Sequence, residues 1–247
     1  CRRCRWAARL KWMPSLLFAA IDNWRSPPPR PAKVSWLGEW TYAHRGLHGP
    51  GLPENSPAAF AAAMARGMGI ECDIQRSRDG QAMVFHDATL DRLTAEQGAV
   101  AARSADELQA ITLAGGTDTI PTLRQLLDQV AGKVPLLIEI KSPKGFEGRI
   151  GALCLAVRRV LEGYQGPHAI MSFDPRIVRW FAHHSPLTVR GLVVTEENDR
   201  GLAGTVRRHL SVWHAKPDFL AYDVRDLPSR FAAAQRQRGL PLTTWTV

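Results

Sequence analysis

The sequence contains no apolar run long enough to cross a membrane. The run that follows the basic N-terminus, residues 16–21, is six residues long and ends at Asp22. A membrane-spanning helix needs about 20 apolar residues, and the core of a secretory signal needs about 7–15. The 247-residue chain also has only four cysteines, too few to predict a disulfide framework. These absences favour a cytoplasmic protein, and the basic N-terminal residues leave peripheral contact with a membrane open.

The chain has little excess charge outside its first 33 residues. Its formal net charge is +9, but residues 1–33 hold eight Lys and Arg side chains against the single acid Asp22, a net charge of +7. The remaining 214 residues carry 24 basic and 22 acidic side chains, a net charge of +2. Nucleic-acid binding would need positive charge spread over the folded body. We therefore expect no nucleic-acid partner.

The composition divides the chain near residue 33. Residues 1–33 are basic, and prolines crowd residues 25–33, which favours an extended segment that cannot continue a helix. We predict that residues 1–33 form an N-terminal extension and that residues 34–247 form one folded domain.

The first residues give two further expectations. The chain begins at Cys1 and its first methionine is Met13, so we expect translation to start at Met13 and residues 1–12 to lie upstream of the natural protein. Cys1 and Cys4 have the spacing of a zinc-binding pair, but no second Cys or His pair lies nearby in sequence. A structural zinc site needs four ligands, so none is predicted here.

Short strand-like runs alternate with longer helix-like runs along the rest of the chain. The eight predicted strands cover residues 41–45, 70–75, 82–87, 136–141, 169–173, 189–194, 219–224 and 242–247. The predicted helices cover residues 56–66, 122–130, 148–161, 175–184, 201–213 and 228–238. Strands separated by such helices pair in parallel through right-handed crossovers. We predict an α/β fold, a (β/α)8 TIM barrel lacking the final helix at the C-terminus, with a doubly wound open sheet as the competing architecture.

Three carboxylates are predicted to meet at one end of this barrel. Glu71 and Asp73 are two residues apart, so they point to the same side of a strand. Both faces of a parallel strand are covered, so these acids need a cation. Glu139 ends a later strand on the side where active groups of barrels collect. An all-oxygen set suits one hard divalent cation, Mg²⁺ or Ca²⁺. An ion pair with a buried arginine is the alternative for each acid.

Two histidines and two cations accompany the same strand ends. His44 and His86 each end a predicted strand, and near neutral pH such a pair can supply a general base and a general acid. Arg45 follows His44, and Lys141 follows Glu139 by two residues; both would attract an anionic substrate. Histidines, a hard cation and positive side chains at one barrel mouth favour phosphodiester chemistry.

A set of short motifs runs in order along the chain. They include Ala43-His44-Arg45-Gly46, Pro53-Glu54-Asn55-Ser56, Ile70-Glu71-Cys72-Asp73-Ile74, Val84-Phe85-His86-Asp87, Leu90-Asp91-Arg92-Leu93-Thr94, Ile138-Glu139-Ile140-Lys141 and Trp245-Thr246-Val247. With this set the sequence resembles the glycerophosphodiester phosphodiesterases, a family of metal-dependent (β/α)8 barrels, over about residues 40–247. No single motif is decisive, but the ordered set is highly specific.

The resemblance implies a role for each matching residue. The metal ligands would be Glu71, Asp73 and Glu139, and the proton-transferring pair would be His44 and His86. The phosphate would be held by Arg45 and Lys141, and Trp245 would line the alcohol side of the pocket. In the family's reaction a neighbouring glycerol hydroxyl attacks phosphorus, the head-group alcohol leaves, and water opens the cyclic phosphate to give glycerol 3-phosphate.

Two other functions remain open at this stage. Related barrels act on lysophospholipids at a membrane surface, and a barrel could also bind glycerophosphodiesters without hydrolysing them. Because every matched metal and histidine position is occupied, a catalytic function is favoured.

The loops give smaller expectations. Glu54 and Asn55 are expected to shape the loop after strand one, and Asn55 or Ser56 is expected to cap the next helix. Asp87 is expected to orient His86 or bond the loop backbone, and Asp91 to pair with Arg92.

Overall fold

The computed structural model describes residues 17–142, 150–197 and 199–245. The strands are β1 (Tyr42–Ala43), β2 (Gly69–Arg76), β3 (Ala82–Val84), β4 (Leu136–Ile140), β5 (His168–Ser172), β6 (Val189–Val194), β7 (Phe219–Asp223) and β8 (Leu242–Trp245). The helices are α1 (residues 17–25), α2 (Pro31–Val34), α3 (Pro57–Ala65), α4 (Ala105–Gln109), α5 (Leu123–Val130), α6 (Ile150–Leu161), α7 (Pro175–His184), α8 (Leu202–Ala215) and α9 (Arg230–Gln237). Short 3-10 helices cover Ser35–Glu39, Val100–Ala102 and Val224–Asp226. The expectations for Cys1, Cys4, Met13 and residues 246–247 lie outside the described residues.

Seven strands form one curled parallel sheet, which confirms the predicted α/β, TIM-barrel-like fold. The strand order is β1-β2-β4-β5-β6-β7-β8, so each strand of the path lies beside the next one along the chain. A doubly wound sheet would reverse this order at a switch point, and that alternative is wrong. Within the described residues no ladder joins β8 to β1, so the curl is that of an incomplete ring.

The third strand does not occupy the predicted barrel position. β3 pairs antiparallel with β2, with Ile74 opposite Val84, and lies off the parallel path. Only residues 77–81 separate the two strands, too few for the crossover that parallel pairing needs. Gly80, at a φ of 92°, supplies the left-handed conformation of this tight connection. The prediction of eight parallel strands is therefore wrong by one, and His86 follows β3 rather than ending it.

Because side chains alternate along the strands, the sheet has an inner and an outer apolar face, and the site lies on the inner face. Leu137, Ala169 and Met171 belong to the cluster inside the curl of the sheet. Their neighbours Ile138 and Ile170 face the outer layer of helices. The inner face changes from apolar to acidic toward the C-terminal ends of β2 and β4, where it carries Glu71, Asp73 and Glu139.

The residues before the barrel contact its outer helices. Asp22, on α1, is 1% exposed and accepts hydrogen bonds from Trp213 Nε1 at 2.6 Å and from Gln235 Nε2 at 2.7 Å. His209 Nδ1 lies 2.9 Å from the same carboxylate, and the ring of Phe18 stacks on His209 at 4.1 Å. The domain boundary at residue 33 stays a prediction. No helix of the described residues is long and apolar enough to span a membrane.

We expect Asp22→Asn to lower the free energy of unfolding by about 1–3 kcal/mol, because buried donors lose a charged acceptor. Burial raises the pKa of Asp22, but hydrogen bonds from His209, Gln235 and Trp213 outweigh burial and lower it. A lowered folded-state pKa stabilises the fold above the unfolded pKa, and this contribution is lost as pH falls through the folded pKa. Urea unfolding measures the loss of free energy of unfolding, and Asp106→Asn, at an exposed position, is the control. Equal losses in both variants would contradict the contribution of Asp22.

Candidate active site

The register of two adjacent strands brings three carboxylates together. In the parallel pair β2–β4, Asp73 lies opposite Glu139, and Glu71 is two residues before Asp73 on the same inner face. One oxygen of each carboxylate lies within 4.8 Å of those of the other two. All three side chains are buried, at 5%, 1% and 7% exposure respectively. The register of β2 and β4 therefore brings the predicted cluster together.

The electrostatics of this cluster call for a cation. Burial, followed by the charges of Asp73 and Glu139, holds the pKa of Glu71 well above its usual range. Glu71 Oε1 is buried and has no hydrogen-bond partner. A buried, unpartnered carboxylate oxygen is costly, and a hard cation with oxygen ligands would satisfy it. The residues present thus fit a divalent cation, and the unpartnered oxygen is the observation that carries this conclusion.

Two cations already contact the carboxylates. Lys141 Nζ donates to Glu139 Oε1 at 2.5 Å and lies 2.8 Å from Asp73 Oδ1. Arg45 Nε lies 3.4 Å from Asp73 Oδ2, and the main-chain N–H of Arg45 donates to Glu71 Oε2 at 3.0 Å. The alternative of an ion pair with an arginine is thus seen for Asp73, whereas Glu139 pairs with Lys141. Glu71 accepts a single main-chain N–H on one oxygen.

The loop after β1 holds the cluster from one side. Asn55 Nδ2 donates to Asp73 Oδ2 at 2.9 Å, and Asn55 Oδ1 accepts from the Asp73 N–H at 3.2 Å. Asn55 and Arg45 both adopt positive φ, at 58° and 57°. Such conformations are uncommon outside glycine and concentrate at functional sites. Of the two residues expected to cap this helix, Ser56 caps α3 and Asn55 does not.

His44 lies beside the carboxylate cluster. Its Nε2 is 4.0 Å from Glu71 Oε2, and its side chain is 39% exposed. Burial, followed by the charge of Arg45, lowers the pKa of His44 to about 4. His44, Arg45 and Glu71 line one cavity of about 1230 Å³ together with Trp245. Four of the eight predicted site residues thus share one solvent-reachable space.

His86 is held by an acid. Its Nδ1 lies 2.5 Å from Asp87 Oδ1, and Gln75 Nε2 donates to the His86 carbonyl at 2.9 Å. Arg92 Nε donates to Asp87 Oδ2 at 2.6 Å. This bond lowers the pKa of Asp87 to about 2, with a smaller contribution from the bond to His86. Asp87 therefore stays ionised and orients the imidazole, as expected for one of its two proposed roles.

Arg92 links the two halves of the site. Its Nη2 donates to Glu54 Oε1 at 2.8 Å, and Arg45 Nη1 donates to the same oxygen at 2.8 Å. A continuous chain of hydrogen bonds thus runs from His86 to Arg45. The expected pairing of Asp91 with Arg92 is wrong, because Asp91 Oδ2 accepts the Gly98 N–H at 3.2 Å instead. No local sequence pattern predicts this link, since Arg92 and Glu54 are 38 residues apart.

Trp245 lies at the C-terminal end of β8. Its Nε1 donates to the Ala221 carbonyl at 3.2 Å, which fixes the indole against β7. The ring of Phe173, which follows β5, meets the indole edge-on at a centroid distance of 5.6 Å. Phe173 is 46% exposed, so the pair forms an aromatic wall at the mouth of the barrel.

We expect Asp87→Asn to lower kcat by about 10–100-fold, with little change in KM. The variant leaves His86 in place but removes the charge that orients its ring. The expected loss is smaller than the roughly 10²–10⁴-fold that acid–base catalysis itself contributes. Steady-state kinetics with a soluble phosphodiester separates the two constants. Asp91→Asn, four residues away in the same loop, is the control and should leave both unchanged. A rise in KM alone would contradict a positioning role for Asp87.

Comparison with known proteins identifies a protein family whose sequence model the chain matches. The sequence model of the glycerophosphoryl diester phosphodiesterase family matches residues 44–247. The Bacillus subtilis protein YhdW is 29% identical over 215 residues, which cover 83% of this chain and 84% of YhdW. A glycerophosphodiester phosphodiesterase of Caldanaerobacter subterraneus is 39% identical over 110 residues, 40% of this chain and 44% of that enzyme.

Solved structures share the fold. A phosphodiesterase of Oleispira antarctica, in complex with the product sn-glycerol-3-phosphate, superposes with a TM-score of 0.73 at 23% identity over 84% of both chains. A glycerophosphodiester phosphodiesterase of Thermotoga maritima gives a TM-score of 0.66 at 25% identity, over 84% of this chain and 85% of that one.

Proposed function

This chain belongs to the glycerophosphoryl diester phosphodiesterase family, and from that premise we propose that it hydrolyses glycerophosphodiesters to glycerol 3-phosphate and an alcohol with one divalent cation. Family membership and the named relatives support phosphodiesterase activity. The observation that carries the metal requirement is the buried trio of Glu71, Asp73 and Glu139, with Glu71 Oε1 lacking any partner.

The cation would be held by these three carboxylates. Mg²⁺ and Ca²⁺ both suit an all-oxygen site. When bound, the cation would polarise the phosphoryl oxygens and offset the negative charge that develops in the transition state. Lys141 contacts Asp73 and Glu139, so its ammonium lies beside the carboxylates, where it would also meet a phosphate oxygen.

We assign proton transfer to His44 and His86. In the first step one imidazole accepts the proton of the glycerol hydroxyl next to the phosphodiester as that oxygen attacks phosphorus. The other imidazole donates a proton to the departing alcohol oxygen, and a cyclic phosphate forms. In the second step the roles reverse: a water loses a proton as it attacks phosphorus, and the opened ring oxygen gains one. Asp87 keeps the ring of His86 oriented through both steps.

The remaining site residues would bind the substrate. Arg45 presents its guanidinium beside the cluster and is held there by Glu54, so it can bind the anionic phosphate. Trp245 and Phe173 form the aromatic wall on which the alcohol group would rest. A quaternary ammonium such as choline is well matched to such a surface.

Hydrolysis of lysophospholipids is a second candidate function, and one observation favours it. The cavity that reaches His44 continues along apolar side chains, including Trp40, Leu47 and Met68. An acyl chain could lie against this wall while its phosphodiester occupies the site.

Product analysis tests the proposal. With Mg²⁺ or Ca²⁺, ³¹P NMR should show glycerophosphocholine and glycerophosphoethanolamine converted to glycerol 3-phosphate. Faster turnover of lysophosphatidylcholine would favour the second candidate. Binding of glycerophosphocholine without turnover under any metal condition would contradict the catalytic assignment and leave a binding function.

A further inference from the structure

A second concave surface lies on the outside of the barrel, between α1, α7 and α8. Its volume is about 660 Å³, and its basic lining residues are Arg25, Arg179, His214 and Lys216. Trp24 and Leu210 contribute apolar walls. We call these six residues the basic cleft. It contains no carboxylate, and it shares no residue with the candidate active site.

The cations of the basic cleft are not neutralised. Within the part of the chain that the structure describes, Arg25, Arg179 and Lys216 form no ion pair with an acid, and the guanidinium of Arg25 lies over the ring of Trp24 at 5.5 Å. The charges are close together, because Arg25, Arg179 and Lys216 line the same cleft. The cleft is therefore a local concentration of positive charge.

Exposed apolar side chains border the same surface. Trp24 is 77% exposed and Leu210 is 52% exposed. Leu202 and Val206, at 78% and 37%, precede Leu210 at intervals of four residues and so lie on one face of α8. Contiguous exposed apolar side chains mark interaction surfaces.

We propose that the basic cleft and the adjoining apolar stripe of α8 dock this protein onto an anionic lipid bilayer. Tryptophan and leucine side chains insert at the boundary between head groups and acyl chains. Unpaired arginine and lysine side chains attract the phosphates of anionic lipids. Two copies of this chain would bring like charges together, so charge complementarity favours a bilayer over a symmetric dimer. This proposal does not rest on the catalytic assignment.

Co-sedimentation of the full chain with vesicles tests the proposal. One set of vesicles is pure phosphatidylcholine, and the other contains phosphatidylcholine and phosphatidylglycerol. We expect the protein to bind the anionic vesicles at least about 10-fold more tightly than the phosphatidylcholine vesicles. This preference should weaken with added salt, because salt screens the charges. Arg25→Glu with Lys216→Glu should lower binding to anionic vesicles by about 10-fold or more.

Matched variants distinguish the effect of the basic cleft on vesicle binding from the effect of net charge alone. Arg124→Glu with Arg159→Glu changes the charge equally on exposed parts of α5 and α6 and should change binding by less than about 2-fold, since exposed charges beyond a Debye length of the bilayer are screened. Trp24→Ser should weaken binding at high salt as well as low salt. Thermal unfolding by circular dichroism checks that each variant is folded, independently of any activity.

Four results would overturn the proposal. These are the absence of binding to either vesicle, equal binding to both vesicles, and equal loss in both charge-reversal pairs. The fourth is a dimer, seen by sedimentation velocity, that the Arg25/Lys216 pair converts to monomer, because the surface would then be covered by a second copy.

Discussion

We expect His44→Ala and His86→Ala each to lower kcat for glycerophosphocholine by about 10²–10⁴-fold, because each removes one proton-transferring group. His44 Nε2 lies 4.0 Å from Glu71 Oε2 at the carboxylate cluster. His86 contacts Asp87, at the far end of the chain of hydrogen bonds that begins at Arg45. The two histidines thus follow different strands, His44 after β1 and His86 after β3.

A double variant sharpens this test. If the two histidines act in one step, His44→Ala/His86→Ala should be less harmful than the product of the single effects, since residues that act as a unit are not additive. His183→Ala, on the exposed end of α7, is the control and should retain full activity toward a soluble substrate. Full activity in both single variants would rule out histidine catalysis at these positions.

We expect Glu71→Gln to abolish measurable stabilisation by Mg²⁺ or Ca²⁺ and to weaken metal binding by more than about 100-fold, because loss of a supporting outer residue alone costs about 10–100-fold. In EDTA the variant should unfold at the same temperature as the wild type or higher. The substitution removes one of three clustered buried charges, and Glu71 Oε1 has no hydrogen bond to lose.

Calorimetric metal titration and thermal unfolding measure both effects without reference to activity. Glu39→Gln, on an exposed 3-10 helix, is the control and should bind metal as the wild type does. Unchanged metal affinity in Glu71→Gln would remove Glu71 from the ligand set, and a lower unfolding temperature in EDTA would show that its charge is stabilised by other means.

The sequence was sufficient for features set by periodicity. The predicted bounds 189–194 and 175–184 are those of β6 and α7, because a short apolar run and a proline-led amphipathic segment are unambiguous. Placing Glu71, Asp73 and Glu139 together needed only the alternation of side chains and parallel pairing of their strands, and both are observed. The roles of these residues stay predictions.

The rest depended on contacts between distant residues. The apolar run of β3 predicts a barrel strand, but the five residues between β2 and β3 are too few for a crossover, so β3 pairs antiparallel. The link from Arg92 to Glu54 joins two loops whose approach no local pattern encodes. Asn55 and Ser56 both fit the pattern of a helix cap, but only Ser56 caps α3, and the side-chain amide of Asn55 donates to Asp73 Oδ2.

The most direct test of a divalent cation at Glu71, Asp73 and Glu139 is hydrolysis of glycerophosphocholine by wild-type protein stripped with EDTA and then reconstituted. Release of glycerol 3-phosphate should stop in EDTA and return when Mg²⁺ or Ca²⁺ is added in excess, with saturation at one ion per chain. Hydrolysis at the same rate in EDTA as with either ion would contradict the metal site.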